Sequence, residues 1–272
     1  MLITTNTDPI VTTLDEFSSI SLDALTAKAE LLHRFDTKYL IHVNQLPELY
    51  TTLADRMSVL EHEGLRCAPY TTRYFDTPDL RTYHDHLKGR RKRFKVRTRY
   101  YQTPNDGFLE VKIKKPRGQT LKVRWPYDVS RLASELGDSE IALINTALRD
   151  SFISEIDEPL VRTLDTTFNR TTLFDTSSLE RVTIDTQLTA TLRDTKQLGD
   201  DGAQSVVDLG KHCAIIEIKS PTKVGDTHRK FTHLGIHRTS ISKYCAGLSA
   251  LRPDLINAPW REALRLLQGT RQ

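Results

Sequence analysis

The chain lacks several features that would identify common classes of protein. No apolar run approaches the roughly 20 residues of a membrane span, and no G-x-x-x-x-G-K-[ST] phosphate loop or G-x-S-x-G nucleophile elbow occurs. A P-loop nucleotide site and a serine-based covalent mechanism are therefore not indicated. Low-complexity linkers and internal repeats are missing too, which excludes solenoids and tandem arrays. Cysteine is scarce. Cys67, Cys213 and Cys245 are odd in number, far apart and without zinc spacing, so they read as reduced, small, partly buried residues. The opening stretch MLITTNTDPIVTT has neither the basic start nor the apolar core of a secretory leader, and the expected localisation is cytoplasmic. Net charge is only +4 over 272 residues. The protein is not globally basic like a nucleic-acid coat, and its cations matter by placement.

What is present is a globular composition, 38% hydrophobic and 27% charged, sufficient for a large core in one large or two small domains. The most distinctive stretch is Lys88 to Tyr101, KGRRKRFKVRTRYY. Arg91, Arg93, Lys95, Arg97 and Arg99 fall on odd positions, while Phe94, Val96 and Tyr100 fall on even ones. In a β-strand this spacing lays cations along one face and apolar groups along the other. Read alone, it is equally compatible with an anion-binding strand, a solvated edge or a basic localisation patch.

Neighbouring segments repeat the pattern. Glu110, Lys112 and Lys114 oppose Leu109, Val111 and Ile113; Lys122 and Arg124 oppose Leu121, Val123 and Trp125. Arg181, Thr183 and Asp185 oppose Val182 and Ile184, and Glu217 and Lys219 oppose Ile216 and Ile218. Helices are expected over 21–30, 44–56, 138–153, 242–251 and 260–267, with Ser21 as an N-cap and Pro47 in a first turn. Strands are expected over 31–43, 70–76, 88–101, 108–115, 120–129, 161–174, 180–188 and 213–220, with a Pro-Asn-Asp-Gly hairpin turn at 104–107. Residues 193–209, rich in Asp and Gly, read as a loop or a disordered hairpin tip. The fold class is α+β, dominated by an antiparallel sheet of about eight strands with flanking helices. If that sheet closes with its charged face inward, it forms a narrow cationic lumen that needs an anion, and a chain of phosphates suits it.

The ordered set Arg34-Phe-Asp-Thr-Lys-Tyr39, Arg73-Tyr-Phe-Asp-Thr77, Lys95-Val-Arg-Thr-Arg-Tyr100, Leu109-Glu-Val-Lys112, Arg181-Val-Thr-Ile-Asp185, Ile216-Glu-Ile-Lys-Ser220 and Ser242-Lys-Tyr244 resembles the VTC polyphosphate polymerase domain. That domain belongs to the triphosphate tunnel metalloenzymes, and the resemblance spans residues 27–252, after an N-terminal extension (1–26) and before a C-terminal helix (253–272). It implies an eight-stranded antiparallel β-barrel tunnel that binds ATP, polyphosphate and a divalent metal, Mn²⁺ or Mg²⁺, and transfers the γ-phosphate of ATP to the polymer, releasing ADP. It places Lys38, Arg97, Arg99, Lys112 and Lys219 at the reacting phosphates. Lys122, Arg170, Arg181 and Lys243, with Arg73 and Arg124 in second rank, bind ATP and polyphosphate. Glu217 holds the metal, with Glu110 and Asp185 as alternatives; Glu110 is equally readable as an ion-pair partner of Lys112 or Arg97.

Where hydrolytic relatives carry an E-x-E-x-K strand, this chain has Arg34-Phe-Asp-Thr-Lys38, with a single acid. That departure favours holding a polymer over activating water, with a metal-dependent triphosphatase or a catalytically idle polyphosphate-binding module as alternatives. Nucleic acid is not an expected partner. A membrane-protein partner and the oligomeric state are left open. His84-Asp-His86 has poor geometry for a metal, because i and i+2 do not face each other on a helix. His228, His233 and His237 are expected at the surface or as caps.

Overall fold

Each strand with one apolar and one charged face can bury only the apolar one against helices, and this requirement organises the molecule. We describe the protein from a computed structural model, over residues 13–29, 34–102, 105–115, 120–132, 134–192 and 205–269. The elements in chain order are β1 (Ser18–Ile20), α1 (Leu22–Ala29), β2 (Phe35–His42), α2 (Leu46–Ala54), β3 (Ser58–Leu60), β4 (Cys67–Asp76) and α3 (Arg81–Leu87). Next come β5 (Arg93–Tyr101), β6 (Asp106–Lys114), β7 (Thr120–Pro126), α4 (Asp138–Arg149), β8 (Val161–Asp175) and β9 (Glu180–Leu192). The chain continues through β10 (Ser205–Asp208), β11 (Cys213–Ser220), α5 (Asp226–His233), α6 (Lys243–Leu251) and α7 (Arg261–Leu267).

Eight strands form one antiparallel path in the order β2-β11-β9-β8-β4-β5-β6-β7, the eight-stranded α+β arrangement expected from sequence. Short β1 and β3 join through β8, and β10 pairs with β9. Among the described residues the end strands β2 and β7 do not pair with each other, so the sheet curls into a half-barrel. The curl still brings opposite ends of the path into electrostatic reach: Lys112 on β6 feels Lys38 and Asp36 on β2.

The convex face is apolar. Phe94, Val96, Leu109, Val111 and Ile113 pack against Ile144, Ala147 and Leu148 of α4. Tyr39, Ile41, Val182, Ile184, Ile216 and Ile218 pack against α2 and Phe231 of α5. On the concave side, Leu164, Phe168, Leu188, Ala190 and Ile215 receive Tyr244, Cys245 and Leu248 of α6. A Cβ on Gly247 would meet Leu164 at 2.8 Å and Ala190 at 2.9 Å, so glycine permits α6 to sit this deeply. The remainder of the concave face is charged.

Several expectations are corrected. Residues 193–204 lie outside the described residues, but 205–208 form β10, whose two valines gave too short an alternation to stand out. The helix from Asp138 ends at Arg149, before the left-handed residue Phe152 (φ 56°). At the start of α3, buried Asp76 accepts from the amides of Thr77, Thr82 and Tyr83, and the Thr77 hydroxyl accepts from the Arg81 amide at 2.9 Å. Of the two places expected for His228, the cap is the one observed, and the side chain is buried there at the start of α5. Its Nδ1 accepts from the Gly225 amide at 3.2 Å, and its Nε2 lies 3.2 Å from the Thr37 hydroxyl. The hairpin residues 103–104 and the strand start at 31–33 lie outside the described residues. No described helix is long and apolar enough to cross a membrane.

Candidate functional site

The strand registers determine which charged side chains share the concave face, because directly paired residues point to the same side. Tyr74 of β4 is opposite Arg97, which is opposite Glu110, which is opposite Arg124. One step along are Lys95, Lys112 and Lys122, and beyond them Arg93 and Lys114. In the other direction Thr72 is opposite Arg99. Across the groove, Lys38 is opposite Glu217, Asp36 opposite Lys219, Lys219 opposite Arg181, and Asp185 opposite Arg170. Lys243 enters from the first residue of α6. Among the described residues these cations share the concave face with the carboxylates Asp36, Glu110, Asp185 and Glu217.

Two of those carboxylates are saturated. Glu110 is fully buried and accepts from Arg97 through Nε at 2.8 Å and Nη2 at 2.6 Å, and from Lys122 at 3.0 Å, with Arg99 at 3.9 Å. Burial alone would raise its pKa, but Arg97, Arg99 and Lys122 override that and hold it well below the usual carboxylate range. Asp185 accepts a two-pronged bond from Arg170 at 2.6 and 2.8 Å and a further bond from Lys243. These cations likewise outweigh burial and keep Asp185 ionised. Glu217 differs, as its side chain is 18% exposed and Asp36 is 28% exposed, with Lys219 bonded to the first and 3.8 Å from the second. Lys219, Lys38 and Lys112 keep Glu217 ionised against the effect of burial.

Cations gathered in a low-dielectric groove disfavour their own charge. Burial, followed by the neighbouring cations, pulls Lys112 down to about 7 and both Lys95 and Lys243 down to about 8, from an ordinary 10.5. Burial also lowers Lys219, and burial with Arg34 and Arg170 lowers Arg181. Nε of Arg93 and of Arg99 and the Thr72 hydroxyl are buried with no hydrogen-bond partner among the described residues. Buried donors of this kind need acceptors. Together, the unspent charge and unspent donors specify an anion with many oxygens.

Residues 33–252 match the family model of the VTC domain. The chain belongs to the VTC domain family. Among curated proteins, none matches it. Solved structures similar to this VTC domain include a candidate adenylate cyclase from Bacillus halodurans, at 14% identity over 76% of this chain and 92% of that chain, TM-score 0.46. A protein from Pyrococcus horikoshii matches at 14% identity over 82% of this chain and 99% of that one, TM-score 0.43. A candidate adenylyl cyclase from Hippeastrum, described as having a dominant triphosphatase activity, matches at 12% identity over 83% and 98%, TM-score 0.43.

Of the residues expected at the site of this VTC domain, Lys38, Arg97, Arg99, Lys112, Lys122, Arg124, Arg170, Arg181, Glu217, Lys219 and Lys243 share the concave face, as do Glu110 and Asp185. Arg73 does not. It is opposite Thr98, one residue out of phase with the rail, and its guanidinium lies 3.7 Å from Asp165 on the convex side, where Arg162 also binds that carboxylate. Sequence reasoning did not place Lys95 and Arg93 at the site, although both lie on the rail. Lys95 donates to the Ser242 hydroxyl at 2.8 Å, and Lys38 to the Ile241 carbonyl at 2.9 Å, which ties the start of α6 to the groove. Also missed were aromatic platforms. The Arg170 guanidinium lies 5.0 Å from the Tyr70 ring, Arg124 4.9 Å from Phe108, and Lys243 4.4 Å from Phe168. Tyr101, whose ring centroid lies 4.9 Å from that of Tyr70, continues the odd parity of the arginines, a signal that could have found it. His84 and His86 take separate partners: His84 meets Tyr83 edge-on, and His86 Nδ1 lies 2.8 Å from the Thr82 carbonyl.

The lowered lysines give a pH prediction. Their folded pKa values lie below the unfolded 10.5, so between about pH 7 and 10 the unfolded chain holds more protons and stability rises with pH. The melting temperature of ligand-free protein should climb from about pH 7 to about pH 9. Tripolyphosphate binding near pH 8 should take up protons, seen calorimetrically in buffers of different ionisation enthalpy. Binding that is proton-neutral at that pH would count against charged lysines gripping the anion.

Proposed function

We propose that this VTC domain is an ATP-dependent polyphosphate polymerase, transferring the γ-phosphate of ATP to the end of a polyphosphate chain and releasing ADP. The observation carrying this reading is the excess of cations over carboxylates on one concave face, with donors left unpaired inside it. Phosphoryl transfer asks a protein mainly to align an in-line attack and to neutralise charge on the transferring oxygens. Arg97, Arg99, Lys38, Lys112 and Lys219 would hold the reacting phosphates; Lys122, Arg124, Arg170, Arg181 and Lys243 would hold the remainder of the nucleotide and polymer. The Pγ–O bond to ADP breaks as a terminal oxygen of the polymer forms the new P–O bond.

That terminal oxygen is already anionic, so the acceptor needs no general base. Water would need one. Glu110 and Asp185, each bonded by several cations, are poorly placed to take a proton, which favours the polymer as acceptor over hydrolysis. Glu217, reachable from the groove and with Asp36 near the same lysine, suits a hard divalent ion that takes its other oxygens from phosphate and water. Bound there, Mn²⁺ or Mg²⁺ would supply further charge neutralisation. Among the described residues no cluster of three or more metal-ligating side chains occurs, which agrees with a metal held mainly by its substrate.

Purified protein given ATP and Mn²⁺ should release ADP in step with a polymer that an exopolyphosphatase digests. Release of orthophosphate without polymer would overturn the polymerase reading in favour of a triphosphatase.

A further inference from the structure

Outside the groove, a cavity of about 440 Å³ opens where α3 meets the segment leading into β5, lined by Arg81, Asp85, Arg90, Lys92, Phe152 and Ser154. Three cations there face a single carboxylate, Asp85, which lies 3.0 Å from Arg90 Nε. Lys92 Nζ donates to the Phe152 carbonyl at 2.8 Å. Phe152 is held in the left-handed region, at φ 56°, and the residue is 83% exposed. A non-glycine residue adopts that conformation at a cost, and here it sets the carbonyl that fixes the Lys92 ammonium. The Arg81 guanidinium lies 5.5 Å from the ring of Phe94, a residue of the convex core, so the cavity is on the outside of the sheet.

Between this cavity and the groove the chain carries several cations, Lys88 and Arg90 to Arg93. Lys88 to Lys92 are exposed. Arg93, the first residue of the rail inside the groove, donates from Nη1 to the Arg90 carbonyl, and its own Nε is buried without a partner among the described residues. From Arg97 and Lys95, positive charge therefore passes through Arg93 to Arg90, Lys92 and Arg81 over the start of β5. An anion with one charge per repeat and a flexible backbone can follow such a line, whereas a compact anion occupies one end of it.

We propose that this outer cavity is a second phosphate site, which holds the distal part of a polyphosphate chain after it has passed over the start of β5. It rests on the polymerase reading of the groove, and it acts on long polymer only: four residues of strand, about 13 Å, separate Arg97 from Arg93 before the cavity begins, so ATP or tripolyphosphate held at Arg97 ends short of it.

The test uses the full chain and the double variant Arg90→Gln/Lys92→Gln, in which glutamine keeps a donor for the Phe152 carbonyl while removing charge. Affinity for tripolyphosphate and ATP should be unchanged, long-chain polyphosphate should bind about tenfold more weakly, and the slope of log affinity against log salt should fall by roughly 2, about one per cation removed. Product chains should be shorter at equal initial turnover. Unchanged long-chain affinity overturns the proposal. So does an equal loss for tripolyphosphate, which would make these residues part of the groove, or a selective loss of ATP, which would make the cavity a nucleotide site. Arg81→Gln, read the same way, serves if the double variant melts early. Arg97→Ala run alongside separates the two ideas: if it turns over ATP as wild type does, the groove reading itself fails, whatever the double variant does to long polymer.

Discussion

Arg97→Ala is expected to slow ATP-dependent polymer synthesis on the order of 10²–10³-fold, mainly in kcat. Arg97 is placed for this by a chain of local causes. Its odd position in β5 turns it into the groove opposite Glu110, and two of its nitrogens are taken by that carboxylate. Glu110 thereby fixes the planar fork, and Tyr74, opposite Arg97 on β4, contacts it as well, so the guanidinium is restrained from two sides before phosphate oxygens meet it. An arginine restrained in this way loses little freedom when it meets the substrate, so its charge counts fully where negative charge shifts during transfer. Arg97→Lys should recover only part of the rate, because a point charge cannot bond Glu110 and phosphate in the same plane. Glu110 would still have Arg99 and Lys122, so the variant should fold, with an unchanged far-UV spectrum. Wild-type turnover in Arg97→Ala would remove the concave face from consideration as the active site.

Glu110→Gln is expected to reduce stability by about 3–5 kcal/mol, the range for removing one partner from a buried ion network. That corresponds to a melting temperature lower by roughly 10 °C for a chain of this size. The carboxylate is fully buried and compensates Arg97, Arg99 and Lys122 together. Glutamine keeps the shape and loses the charge. The variant has a second signature: tripolyphosphate should raise its melting temperature more than it raises that of wild type, because a bound anion replaces part of the missing charge. Equal ligand-induced shifts in the two proteins would show that Glu110 and the anion do not share the same cations. A wild-type melting temperature would mean the arginines are solvated in a way the buried geometry excludes.

Much of this site was legible beforehand because it depends on a period of two. Parity alone separated Arg97, Arg99, Lys112, Lys122 and Arg124 from Phe94, Val96, Leu109 and Val111, and the same parity decides which residues the core of α4 receives. Arg73 shows the limit of motif position as a guide. The residue lies between Thr72 and Tyr74, in a strand without a clean alternation of charged and apolar residues, and only its pairing with Thr98 shows that it is out of phase with the rail. Glu110 and Asp185 show another limit. Both were metal candidates by residue type; the pairing of Glu110 with Arg97 on the adjacent strand was the alternative already readable from the hairpin, whereas Asp185 is met by Arg170 and by Lys243 from a helix distant in the chain.

The sequence by itself determined the alternating faces, the antiparallel order of the central strands and the sign of the charge on the concave side, since these follow from neighbouring residues along one strand. The tertiary structure decided how many of those charges remain available. Register and curl bring Lys38, Lys112 and Glu217 together from three strands, and α6 delivers Lys243 to Asp185. The partner of a buried charge is set by cross-strand register and helix docking, and neither is encoded in the period of a single segment.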